Sequence, residues 1–111
     1  MTFNSDKDII VLQNIDLCNA AIDFTDLLSK SQKDILKYIL LFNHNHGITA
    51  NSIQVKLKIT RQAAAIHLKR LMQRGFVTRK KSRVYSYSLN FQKMQELIKV
   101  YEINNLNSEK V

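Results

Sequence analysis

Residues 49–77 read TANSIQVKLKITRQAAAIHLKRLMQRGFV, and the reading of this stretch decides the fold. Thr49 and Thr60 each offer a side-chain oxygen to the amides that follow, so each predicts the start of a helix. The helix opening at Thr49 is short, with Ile53, Val55 and Leu57 as its inward positions. Three residues after Leu57, Thr60 opens a longer helix that runs to Arg74, with Gly75 at the helix-ending position. At about 100° per residue, Ala64, Leu68, Leu71 and Met72 fall on one side of this second helix. Gln62, Ile66, Lys69, Arg70 and Gln73 point the other way. Beyond Gly75, Phe76–Arg79 and the alternating run Arg83–Leu89 have the period of strands, with Lys80, Lys81 and Ser82 between them. They predict a two-stranded hairpin with a basic tip.

Upstream, Ser31 predicts the cap of a helix whose core side is Ile35, Leu36, Ile39, Leu40 and Phe42, ended by the Asn43–Gly47 cluster. Further back, Ser5 with Asp8 predicts a helix within residues 6–28. It carries two apolar rows, Val11, Ile15, Cys18 and Ile22, and Leu17, Ala21, Phe24 and Leu28. Downstream, Asn90 predicts the cap of a last helix over 91–106, with a seam of Phe91, Met94, Ile98 and Tyr101 beside Leu97. A chain of 111 residues fits one domain with one modest core, 1–111. The 6–28 and 91–106 helices carry more apolar surface than such a core absorbs, which predicts a homodimer built on both.

Charge separates the middle of the chain from its ends. Between Asp34 and Glu96 there is no acid, and those 61 residues hold 12 Lys or Arg. Residues 1–48 carry 4 bases and 6 acids, 49–90 carry 10 bases and none, and 91–111 carry 3 of each, for a total of +8. Basic residues kept only for solubility would be mixed with acids on every face, so the block predicts a polyanionic partner, nucleic acid. The absence of an export signal and of any run of 18 apolar residues predicts a soluble, cytoplasmic protein with no membrane partner. Cys18 is the only thiol, and His44 and His46 lie two apart in a loop, so neither a disulfide, a cofactor nor a metal site is expected. No Gly-rich phosphate loop or His-x-x-x-His pair occurs, and the basic block holds no acid for proton transfer. An enzyme is not expected.

A helix, a three-residue turn, a second helix ending in Arg74-Gly75-Phe76-Val77 and a basic hairpin follow the order of winged helix-turn-helix regulators, which residues 29–90 resemble. Leu57–Thr60 and Ala64–Leu71, with His67-Leu68-Lys69-Arg70-Leu71, are similar to the turn and recognition helix of ArsR-type repressors. Leu28–Gln32 is similar to the start of the corresponding helix in MarR-type regulators. The short wing and the length favour the ArsR type. The resemblance implies a mainly α fold with a small β-hairpin wing, flanked by N- and C-terminal dimerisation helices. It departs from the pattern at Lys58, where glycine is common because the backbone often turns left-handed. It departs also in lacking a Cys-x-Cys pair, so no metal-responsive switch is expected.

A helix in the major groove presents base edges with its outward face near its N-terminus, here Arg61, Gln62, Ala63, Ile66, His67 and Arg70. Gln pairs with adenine and Arg with guanine, while Ala63 and Ile66 are small or apolar enough to meet a thymine methyl. Ile66 has a second reading as a contact with the wing or the first helix, and His67 as a partly buried residue holding a backbone carbonyl. Lys56, Lys58 and the first amides after Thr49 suit phosphates, and Thr60 joins them as a DNA-binding candidate at the start of the longer helix. Arg79, Lys80, Lys81, Ser82 and Arg83 would carry the wing to the adjacent minor groove. Three function classes remain: a small dimeric, sequence-specific regulator of transcription on double-stranded DNA, a repressor in preference to an activator; an RNA- or single-strand-binding winged helix, with Tyr85 and Tyr87 to stack bases; and an architectural subunit of a larger complex. No operator and no effector can be read from the residues.

Overall fold

The computed structural model describes residues 14–42 and 47–109. Among them are five helices and three short strands, in the order α1 (Ile15–Phe24), α2 (Lys30–Phe42), β1 (Ile48–Thr49), α3 (Ala50–Leu57), α4 (Arg61–Gln73), β2 (Val77–Lys81), β3 (Tyr85–Leu89) and α5 (Phe91–Glu109). The strands form one antiparallel sheet in the order β1-β3-β2. This mainly helical architecture with a small sheet is compatible with a winged-helix fold. No helix of the described residues is long and apolar enough to cross a membrane.

The expected helix within 6–28 spans Ile15–Phe24 in the described residues, and Ser5, Asp8 and Val11 lie outside them. The chain leaves α1 at Thr25, whose Oγ1 accepts from the Leu27 amide at 3.3 Å, and Leu28 is buried beyond it. α2 is capped by Ser29, not by Ser31. The Ser29 amide donates to Gln32 Oε1 at 3.1 Å, and the Gln32 amide donates back to Ser29 Oγ at 3.3 Å. This reciprocal pair needs Gln or Glu three residues after the cap. Ser31 is followed at that distance by Asp34, which is engaged with Lys30.

Both expected threonine caps form. Thr49 Oγ1 accepts from the Ser52 amide at 3.2 Å, and Thr60 Oγ1 from the Ala63 amide at 3.0 Å. In α3, Ile53 is fully buried and Leu57 half-buried, but Val55 is 71% exposed, against expectation. Positions i and i+2 on a helix are about 200° apart, so Ile53 and Val55 cannot share a face. α3 stops at Lys58, which takes the left-handed conformation (φ 55°, ψ 47°). Its amide and that of Ile59 both donate to the Gln54 carbonyl. α4 ends at Gly75 with φ +83°. There the Gly75 amide bonds Met72 O and the Phe76 amide bonds Leu71 O, each at 3.0 Å, and Phe76 turns into the core.

The sheet has one strand more than the expected hairpin. Ile48 pairs with Tyr87 and Thr49 with Ser86, so the entry to α3 is hydrogen-bonded to β3. Gly47 makes this approach possible: it holds φ +77°, and a Cβ there would lie 2.8 Å from Ser88 Oγ and 3.0 Å from Tyr87 O. Asn90 fastens the base of the hairpin. Its amide donates to Phe76 O, its Nδ2 to Gly75 O at 2.9 Å, and its Oδ1 caps α5 by accepting from the Lys93 amide.

The core is filled by Ile22, Ile35, Leu36, Ile39, Leu40, Ile53, Leu68, Leu71, Phe76 and Met94, all screened from solvent. Burying each contributes roughly 1.5–3 kcal/mol. Phe42, expected on the core side of α2, is instead exposed and tilts against Tyr38 with ring centroids 5.0 Å apart. α1 packs on both α2 and α5, with Phe24 edge-on to Tyr101 at 5.4 Å.

Candidate nucleic-acid interface

All ten bases of 49–90 are exposed: Lys56, Lys58, Arg61, Lys69, Arg70, Arg74, Arg79, Lys80, Lys81 and Arg83. Ion pairs among the described residues join Lys30 to Asp34, Lys37 to Asp23 and Lys93 to Glu96, and none reaches this block. Its charge is therefore uncompensated at short range.

The two caps and the left-handed turn set the pose of α4. Its buried side, Ala64, Leu68 and Leu71, faces α2 and α3, which leaves Gln62, Ile66, Lys69 and Gln73 as an exposed stripe with Arg70 on its flank. Ile66 is 66% exposed, so it does not pack on the hairpin or on a preceding helix. Two residues expected on the outward face sit differently. Ala63 is half-buried on one side of the stripe. His67 is half-buried as well, but its Nδ1 lies 3.4 Å from Nε2 of the Gln32 side chain rather than against a backbone carbonyl, so the ring is turned toward the start of α2.

On the hairpin, register divides the basic residues between two faces. Val77 pairs with Leu89, Arg79 with Tyr87 and Lys81 with Tyr85, and side chains alternate along each strand. Val77, Tyr87 and Leu89 are buried on the core side, and Arg79, Lys81 and Tyr85 continue that face outward. The Arg79 guanidinium lies 4.1 Å above the Tyr85 ring and the Lys81 ammonium 5.4 Å from it. Lys80 stands on the opposite face with Thr78, Ser86 and Ser88. The expected grouping of Lys80 with Lys81 is thus split. Ser82, Arg83 and Val84 form the exposed tip, closed by the Ser82 amide donating to Val84 O at 3.2 Å.

Between α4 and the hairpin runs an open cleft of about 700 Å³, lined by Thr49, Asn51, Gln54, Arg61, Ala65, Val84 and Tyr85 among others. Arg61 belongs to this cleft, while Lys56 and Lys58 stand exposed at the end of α3. The hydroxyls of Thr49 and Thr60 each accept a helix amide as caps, and Thr60 stands exposed at the start of α4. Ala65, Asn51, Gln54 and Val84 were not singled out from sequence. The placement of Lys69 and Gln73 on the outward side of α4 was already legible in the periodicity.

Titratable chemistry is sparse around this surface. Cys18 is far along the chain in α1, where burial pushes its thiol up to about 11. No group of three or more His, Cys, Asp or Glu suited to a metal occurs among the described residues, and His44 and His46 lie outside them. No protein-family model, curated protein or solved structure matches the chain.

Proposed function

We propose that the chain is a sequence-specific, double-stranded-DNA-binding regulator of the winged helix-turn-helix kind, with α4 as the recognition helix, β2–β3 as the wing, and repression as its mode of action. The observation that carries this reading is the coincidence of ten exposed, unpaired bases with an outward α4 face of base-reading chemistry, Gln62, Ile66 and Arg70. The aromatic residues favour duplex over single-stranded nucleic acid. Tyr87 is buried, and one face of Tyr85 is covered by Arg79, which leaves little to stack on bases.

The functional unit is a homodimer formed on α1 and α5. Phe24 at the end of α1, Leu27 in the segment just beyond it, and Val100, Ile103 and Leu106 along α5 are large apolar side chains left exposed. A second copy would cover them and place two recognition helices on half-sites about one helical turn apart. Selection of bound sequences from random duplex DNA is the test, and it should return an inverted repeat. Light scattering at micromolar protein should give twice 12.9 kDa; a monomer both on and off DNA rules out the dimer.

A further inference from the structure

Resting on that duplex-reading function, we infer that Ile66 is a specificity-determining residue that reads the 5-methyl group of a pyrimidine, thymine, in the major groove. Ile66 is 66% exposed at the middle of the outward stripe of α4, one turn from Gln62 on one side and from Lys69 and Arg70 on the other. Among the described residues none of these four side chains has a hydrogen-bond or ion-pair partner. An exposed isoleucine gives nothing to the stability of a free helix and lowers its propensity relative to alanine. It is also too small a patch for a protein partner, since docking faces need several contiguous apolar residues. Here the neighbours are Gln, Lys and Arg in a module without an acid.

The flanks of the same face are low. Ala63 and Ala65 lie on either side of the first two turns, so the helix can settle deeply and bring the isoleucine to the base edges. The major-groove edge offers an apolar side chain one target, the pyrimidine 5-methyl. Gln62, one turn earlier, has the donor and acceptor that an adenine edge requires. The pair therefore fits an A·T-containing step within each half-site.

The experiment replaces each thymine of the selected half-site in turn by deoxyuridine, which removes the methyl and keeps the pairing. At one or two positions the wild type should lose about 4-fold in affinity per methyl, the value of one buried methyl group. Ile66→Ala should lose a similar factor on the thymine duplex and then be indifferent to uridine at those positions. Helicity by circular dichroism shows that this variant is folded. A parallel series with 5-methylcytosine in place of cytosine separates the two sources of the same methyl: loss on uridine supports thymine, and a gain on 5-methylcytosine without loss on uridine overturns it. Equal affinity for thymine and uridine duplexes, with sequence preference intact, overturns the inference and leaves the DNA-reading function standing. Enrichment of no sequence at all overturns both.

Discussion

Lys58 holds a left-handed backbone that costs a residue with a Cβ about 1–2 kcal/mol and costs glycine little. Lys58→Gly should therefore stabilise the fold, by about 0.5–1 kcal/mol after the added freedom of the unfolded chain is set against the relief. Urea titration measures the gain. Gln62→Ala and Arg70→Ala should each weaken a preferred duplex by about 1–3 kcal/mol, and Gln62→Ala should leave random DNA almost unchanged, in a paired binding assay. The Cys18 thiol is raised from 9.0 to about 11 by burial, so its contribution is complete below pH 9 and is lost as pH rises through about 11. Cys18→Ala should flatten the stability curve between those values, measured by urea unfolding against pH. At this scale, what was local was legible. The resemblance marked Lys58 as a position where glycine is common and left open whether a lysine would turn left-handed there; the structure shows that it does. The orientation of His67 depends on Gln32, 35 positions away, and only tertiary contact could supply it.

Elements were readable wherever a cap or a terminator is encoded next to the periodic run it bounds. Thr49, Thr60, Gly75 and Asn90 lie within a few residues of the groups they satisfy, and α3, α4 and α5 begin or end there as expected. Ser29 shows the finer rule, since two candidate serines compete and the one with Gln32 three positions on forms the cap. β1 escaped because two residues carry no periodicity, and its partners Ser86 and Tyr87 are remote in sequence. The faces of the hairpin escaped because its first strand was expected to stop at Arg79 with Lys80 and Lys81 in the tip; β2 runs on to Lys81, and its register with β3 puts the two lysines on opposite faces. Gly47→Ala tests the third strand. With φ +77° and Ser88 Oγ 2.8 Å from the added Cβ, it should destabilise by about 1–3 kcal/mol, seen as a lower midpoint in thermal unfolding.

For the whole molecule the decisive quantity is where charge lies rather than how much there is. Ten exposed bases in 49–90 would neutralise roughly 4–6 phosphates per protomer, so log K against log salt should fall with a slope of about −4 to −5 per protomer, measured by fluorescence anisotropy. A slope near −1 would move the contact away from this module. The apolar surplus on α1 and α5 was legible as composition, while which side chains remain uncovered, Phe24, Leu27, Val100, Ile103 and Leu106, depended on how the two helices pack. The same uneven charge also governs how quickly the protein meets a polyanion. With +10 on the module, −2 before it and zero after it, the chain has a permanent electric moment. On the proposed function, the field of a phosphate backbone would turn the protein before it touches, so that a larger share of collisions would arrive with the basic module forward. Encounter should thus be fast in dilute salt and slow steeply as salt is added, because the exposed charges act across solvent.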